Sequence, residues 1–205
     1  DGRHIDLPDA SVDRILSFKP KSVFEIGCGT GLLLFKVAPH CDSYVGTDFS
    51  PAALSYVQQQ LATRGLDDIV VLFERRADDF SNIAPNLFDC VILNSVVQYF
   101  PSVTYLLHVL EEAVKATRSG GVVFVGDVRS LPLLEAFHTS VELAKAGDSL
   151  SPEELRERVR KRVAEEEELI LDPAFFAALK DHLPQISRVE ILSKRATMQN
   201  ELTRF

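Results

Sequence analysis

One stretch constrains the fold of this chain more than any other. Val23-Phe24-Glu25-Ile26 runs straight into Gly27-Cys28-Gly29-Thr30-Gly31, and Leu32-Leu33-Leu34-Phe35 follows. The pattern predicts a short buried strand, a glycine turn and the start of a helix. A central parallel strand is covered on both faces, so it reads as an unbroken apolar run, and here Pro20 and the glycines bound that run. Glycine allows positive φ and a close approach of backbone to ligand, because no Cβ intervenes. The first N–H groups of the following helix have no intrahelical partner and are left to serve an anionic or polar ligand.

The spacing narrows the ligand. The dinucleotide fingerprint wants glycine at the sixth position of G-x-G-x-x-G; counted from Gly27, that position is Leu32. The third glycine comes one residue earlier, with Glu25 two residues before the first. An acid that takes ribose hydroxyls is expected at the tip of the second strand, about 20 residues on. Tyr44-Val45-Gly46-Thr47-Asp48 supplies it at Asp48. Packing alone could account for one glycine at such a junction, but three glycines with Glu25 and Asp48 point to a ligand.

The rest of the chain repeats the strand–helix alternation. Val12, Ile15 and Leu16 predict a short first helix, and Ser50-Pro51 opens a helix that closes near Gly65, with serine as N-cap and proline at the first position. Further strands are expected at 69–73, 88–94 and 122–127, with a helix over 105–116. Five strands alternating with helices call for an α/β fold, a Rossmann-like, doubly wound and mainly parallel sheet. Helices are then predicted over 130–146, from the capping box Ser151-Pro152-Glu153-Glu154 to about 169, and from Asp172-Pro173 to about 182. The middle one is mostly Arg, Lys and Glu with a thin apolar stripe, and a solvated face is its first reading. A sixth strand at 188–194, a turn at 196–200 and a returning strand cut short at 205 would make a seven-stranded sheet, as if a domain had been taken from a longer polypeptide.

Two sets of blocks resemble a known family. Glu25 to Gly31, followed by Gly46-Thr47-Asp48-Phe49-Ser50, is similar to the S-adenosylmethionine (SAM) site of class I methyltransferases. Asn94-Ser95-Val96-Val97-Gln98-Tyr99-Phe100-Pro101, the segment from Gly126-Asp127 to Phe137-His138, and Asn200-Glu201-Leu202-Thr203-Arg204-Phe205 resemble the methyltransferase domains of modular polyketide synthases and nonribosomal peptide synthetases. The resemblance spans nearly the whole chain, and the later blocks are its more specific part. One departure is that such domains usually carry a longer segment before the first helix than Pro8-Asp9-Ala10-Ser11 allows.

The resemblance implies a division of labour. Gly27, Gly29 and Gly31 pass under the methionine and ribose of SAM, Asp48 grips the ribose diol, and Phe49 lies beside the adenine. Asp78 or Asp79 holds the adenine amine, with Phe80 next to them; either acid could equally be a turn or capping residue. Asn94 and Ser95 complete the cofactor site, and Gln98, Tyr99 and Asp127 line the acceptor side, because ligands in open α/β sheets sit beyond the carboxyl ends of the strands. The domains expected are a leading segment 1–18, a SAM-binding core 19–130, a helical substrate cap 131–185 and C-terminal strands 186–205. The donor would be SAM, the product S-adenosylhomocysteine, and no metal is called for. The partners implied are an acyl carrier protein presenting its substrate on phosphopantetheine, and the neighbouring domains of a megasynthase.

Composition excludes other classes. A net charge of −8 argues against nucleic acid, whose phosphates need clustered Lys and Arg. Cys28, Cys41 and Cys90 are odd in number and lack metal or disulfide spacing, which points to a reduced, cytoplasmic setting. No apolar run reaches transmembrane length.

Chemistry supplies the remaining candidates. The sulfonium methyl is already activated, so holding acceptor and methyl in line does much of the work. An alcohol acceptor also needs a base. His138 suits that role because an imidazole ordinarily titrates near working pH, although single helix histidines are most often structural. Glu201 is its candidate orienting carboxylate. That pair favours O-methylation of a β-hydroxyl, ahead of N-methylation of a carrier-bound aminoacyl group and C-methylation of a β-keto acyl group. A catalytically silent scaffold with the same fold is the non-enzymatic alternative.

Overall fold

Val23, Phe24 and Ile26 are buried because their strand, β1 (Ser22–Ile26), runs through the middle of a parallel sheet. The structure, a computed structural model, describes residues 10–146 and 150–193. The chain divides into two compact units, 1–127 and 128–205.

In the first unit β1 is joined by β2 (Ser43–Asp48), β3 (Val70–Glu74), β4 (Phe88–Asn94) and β5 (Thr117–Gly126), in the order β3-β2-β1-β4-β5 with every pairing parallel. The order reverses at β1, whose neighbours are β2 and β4, so the crevice for a ligand lies at its carboxyl end. Strand residues alternate between faces. Val23, Tyr44, Val70, Cys90 and Ile92 join one core with Val12 and Ile15 of α1 (Ala10–Ser17), Leu34 and Val37 of α2 (Leu34–Val37), and Leu54, Val57 and Leu61 of α3 (Pro51–Arg64). Phe24, the next residue along β1 from Val23, stacks on Phe88 at 5.2 Å and meets the edge of Phe80 at 5.7 Å. α4 (Val103–Ala116) buries Leu106, Val109, Leu110 and Ala113. Ser50 caps α3 through its hydroxyl, which accepts from the Ala53 N–H, and Gly65 closes it at φ 67°.

In the second unit α5 (Leu134–Lys145), α6 (Pro152–Ala164) and α7 (Pro173–His182) follow a short 3₁₀ turn, Leu131–Leu133. Backbone bonds from Leu131 N–H to Leu171 C=O and from Leu171 N–H to Arg129 C=O clip the start of this unit to the segment after α6. The capping box at Ser151 and Glu154 is formed as expected.

Two boundaries and the strand count depart most from the sequence reading. β5 starts at Thr117, through a register irregularity between its pairings to Phe88 and Cys90, instead of at Val122. α6 stops at Ala164 and not near Leu169, which frees Glu166 and Glu168 to turn toward Arg129. The seven-stranded expectation is corrected to five strands among the described residues, because 188–193 form no strand. Alternation is a local signal, whereas a strand exists only with a partner for its backbone groups; Ile191 and Leu192 are half exposed or more. The predicted turn and returning strand lie outside the described residues, as does Glu201. No helix among the described residues is long and apolar enough to cross a membrane.

Candidate active site

The glycine turn is held to the tip of β2 by backbone and carboxylate. Gly27 and Cys28 N–H both donate to the Thr47 carbonyl, and Gly29 N–H donates to Asp48 Oδ2 at 2.8 Å. Asp48 Oδ1 accepts the Ser50 N–H, also at 2.8 Å. Asp48 therefore braces the turn and leads into α3, while its remaining lone pairs leave capacity for two hydroxyl donors. Gly29 sits at φ 52°, and a Cβ built on it would meet no protein atom within 4 Å. Glycine is required there by conformation, and the space beside it is open to a ligand. Phe49, next to Asp48, is 76% exposed, a large apolar surface beside the tip of β2. Leu32 is also exposed, so the helix after the turn shortens to the four residues of α2 instead of continuing the apolar run inward.

Glu25 lies beneath the turn, buried, with Oε2 accepting the Tyr44 hydroxyl at 2.8 Å. Burial pushes its carboxyl up to about 7, against the pull of the Tyr44 hydrogen bond, and the charge of Asp48 pushes the same way as burial. Sequence reasoning found Glu25 but not Tyr44, whose β-propensity reads simply as core. The signal was its place two positions before Gly46: side chains two apart share a face, and Gly46 is Glu25's partner across the strands.

The loop after β3 separates its two acids. Asp79 Oδ1 accepts the Ser81 N–H at 2.9 Å, a local turn bond that holds its carboxyl low. Burial would raise Asp78, but the Tyr105 hydroxyl, a backbone N–H and Arg76 outweigh it and hold the carboxyl below its ordinary value. Phe80 is committed to Phe24.

Beyond β4 and β5 the sequence candidates converge. Ser95 Oγ–H donates to Asp127 Oδ2 at 2.6 Å and Asn94 Nδ2 donates to the same oxygen at 3.2 Å. Ser95 and Asp127 have φ 55° and 58°, left-handed values that cost a non-glycine residue about 1–3 kcal/mol and that cluster at functional sites. The Asn94 side-chain carbonyl lies where a Cβ on Gly126 would be. Asn94 Oδ1 and Gln98 Oε1 are buried acceptors with no hydrogen-bond partner. Tyr99, on the same 3₁₀ turn as Gln98 (Val97–Tyr99), is 73% exposed.

His138 belongs to the second unit, on the buried stripe of α5 that also carries Leu134 and Glu142. Its Nε2 lies 3.2 Å from Glu166 Oε2. Arg129 Nη1 meets the same oxygen at 3.1 Å and Glu168 Oε2 at 2.8 Å, with its guanidinium over the Phe137 ring. Sequence reasoning missed Glu166, hidden in a run of four glutamates read as the end of a solvated helix.

The fold and these contacts agree with the comparisons. A family model described as a methyltransferase domain matches residues 24–123. The chain is 48% identical over 197 residues to chondramide synthase from Chondromyces crocatus, covering 96% of this chain and 5% of that protein. It is 35% identical to a nonribosomal peptide synthetase from Alternaria alternata, over 95% of this chain and 4% of the other. The chain thus spans a small part of these curated relatives. Among solved structures it resembles the N-methyltransferase NodS from Bradyrhizobium japonicum, with TM-score 0.51 at 21% identity over 73% of this chain and 79% of that one. NodS in complex with S-adenosylhomocysteine also matches, at TM-score 0.50 and 24% identity over 60% and 64% of the two chains. The open glycine turn, the acids Glu25 and Asp48 toward the carboxyl ends of β1 and β2 and the parallel sheet fit a SAM site, and the chain belongs to the class I SAM-dependent methyltransferases, its curated relatives being stretches of nonribosomal peptide synthetases.

Proposed function

We propose that this domain methylates the amine of an aminoacyl group carried on the phosphopantetheine arm of a carrier protein. The observation that carries the reading is two unpartnered acceptors: Asn94 Oδ1, whose side chain belongs to the strained cluster with Ser95 and Asp127, and Gln98 Oε1 on the 3₁₀ turn that follows. A buried acceptor without a donor costs about 1–3 kcal/mol, and an amine offers the N–H donors these oxygens lack. Relatives that are peptide synthetases support the same acceptor, since amino acids bring an amine to each step.

SAM supplies, when bound, a methyl group activated by its sulfonium. Gly29 gives it backbone room, Gly27 and Gly31 let the turn close against Val96 and Phe35, Asp48 takes ribose hydroxyls while bracing the turn, and Phe49 offers a face to the adenine, with Asp78 or Asp79 for the adenine amine. Gln98, Tyr99 and Asp127 orient the acceptor, which accelerates transfer by fixing geometry. His138, with its imidazole held by Glu166, takes the proton that the acceptor heteroatom gives up. Glu201 remains a second candidate for orienting that imidazole. Three free, buried cysteines fit a reducing cytoplasmic setting.

The His138–Glu166 pair also favours a second reading, O-methylation of a β-hydroxyl, because an alcohol depends more on a base than an amine does. One experiment separates the two. The chain is incubated with SAM and carrier proteins loaded with an aminoacyl or a β-hydroxyacyl group, and the mass gain is located by fragmentation. Methyl on nitrogen supports the first reading and methyl on oxygen the second. SAM binding without transfer to either would favour a scaffold. Under the amine reading His138→Gln slows transfer about 10-fold, and under the alcohol reading by the 10²–10⁴-fold typical of a lost general base.

A further inference from the structure

Glu25 and Tyr44 form a buried, hydrogen-bonded pair beneath the glycine turn. Tyr44 is fully buried and Glu25 is 3% exposed, so neither side chain is held by solvent. Their hydrogen bond crosses from β2 to β1 on the sheet face that runs up to the glycine turn. Gly46, beside Glu25, keeps this corner tight. A Cβ there would press on Leu72, Leu34 and Cys28. A carboxylate in such surroundings is costly unless a cation joins it. SAM carries two, a sulfonium and an ammonium.

The groups that face Glu25 are few. From β2 come Tyr44 and Asp48, and from the turn comes Cys28. Cys41 adds to the field at Tyr44. β4 presents Ile92 opposite Glu25. Among the helices packed on this face, Asp13, Lys36 and Tyr56 are exposed, as is His40 of the turn after α2, while Arg14 lies over Phe18 and Arg64 over Phe35. Burial pushes the Tyr44 hydroxyl and the Cys28 thiol up, away from the neutral range, and Cys41 to about 11. Glu25 is the group of this corner that burial brings up to about 7.

We propose that Tyr44 is a positioning residue of the cofactor site: its hydroxyl holds the buried Glu25 carboxyl at the root of the glycine turn to meet the cationic cofactor, so that on the acid side of neutrality binding expels a proton. The proposal rests on the reading of this turn as the SAM site. The linkage has a definite sign. Only the ionised form is competent to receive the cation, so the apparent dissociation constant is the intrinsic one divided by the ionised fraction. With Glu25 raised to about 7, affinity climbs about 25-fold from pH 5.5 to 7.5, steepest at the acid end and levelling above 7. That window stops short of the ordinary range of the cofactor's own amine.

The test is titration calorimetry of the whole chain with SAM across this range, repeated at pH 6 in two buffers of different ionisation enthalpy to count protons. We expect close to one proton released at pH 6 and the rise in affinity given above. Glu25→Gln should release none and bind with a flat profile. Tyr44→Phe removes a bond that favours the carboxylate, so its rise in affinity should shift to higher pH. A merely structural role for Tyr44 would lower stability without moving that profile. Binding that is tight, flat and proton-neutral in the unaltered chain, or a Tyr44→Phe profile that superimposes on it, overturns the proposal and leaves the cofactor site standing. Absence of SAM binding at every pH overturns both.

Discussion

The two units of this chain are held together by different physics. Around the sheet, Val23, Tyr44, Val57, Leu61, Cys90 and Ile92 are buried in one apolar core, and among the described residues the buried polar groups are few: Glu25 with the Tyr44 hydroxyl, Thr47 and Asp48 toward the carboxyl ends of β1 and β2, Ser11 on α1, and Asp89 at the start of β4. Among the helices of the second unit the buried stripe of α5 is Leu134, His138 and Glu142, and the last two meet charged partners. An apolar core stabilises in proportion to area and tolerates shape-preserving change. A polar core depends on every partner being present, because a buried charge left alone costs more than the pair contributes. The first unit can therefore hold a rigid cofactor groove, whereas the second is sensitive to single charges.

The strongest way to break this contrast is at the polar brace of the glycine turn. Asp48→Asn replaces a carboxylate whose two oxygens accept the Gly29 and Ser50 N–H groups by an amide that can accept only one of them. Losing a hydrogen bond to a charged group costs about 1.5–3 kcal/mol. With the ribose contact added, SAM affinity should fall about 100-fold or more by calorimetry, while the apolar core keeps the sheet folded. Loss of the fold instead would mean that the sheet, too, rests on its charges.

In the second unit, Arg129→Gln removes the cation shared by Glu166 and Glu168 and leaves two carboxylates facing each other beside His138. A fully buried pair broken in this way costs about 3–5 kcal/mol. Arg129 is 19% exposed and Glu168 36%, so a loss of about 2 kcal/mol is expected, read from hydrogen exchange of the α5 and α6 amides. Protection unchanged there would undo the polar-core description.

The same division explains what could be read in advance. Strand–turn–helix units announce themselves locally: β4 was expected at 88–94 and is Phe88–Asn94, and the Ser50-Pro51 start and Gly65 stop of α3 are both formed. The cofactor candidates were legible because glycine spacing and a strand-end acid are one-dimensional signals. Partnerships across sequence were not. Tyr44 with Glu25, and Glu166 with both His138 and Arg129, join residues 19, 28 and 37 positions apart, and nothing in a run of glutamates says which one turns inward. α6 was expected to reach Leu169 for the same reason: composition favours helix there, and the pull of Arg129 on Glu166 and Glu168 overrides propensity.

The finest test uses two arginines on α6, two residues apart. Arg162 reaches Glu142, whose side chain is 7% exposed, at 3.3 Å. Arg160 reaches Glu157 at 2.8 Å, with both side chains about three-quarters exposed. By distance alone Arg160 makes the better pair. By surroundings it makes the weaker one, because water screens it and competes for both ends. Arg162→Ala should cost about 1 kcal/mol, the guanidinium being itself 54% exposed. Arg160→Ala should cost less than about 0.5 kcal/mol in the same urea titration. If the order were reversed, geometry rather than burial would set the worth of these ion pairs. The glutamate on the inner stripe of α5 would then have to be held by something other than its arginine, and the account of the second unit as a polar core would fail at its smallest step.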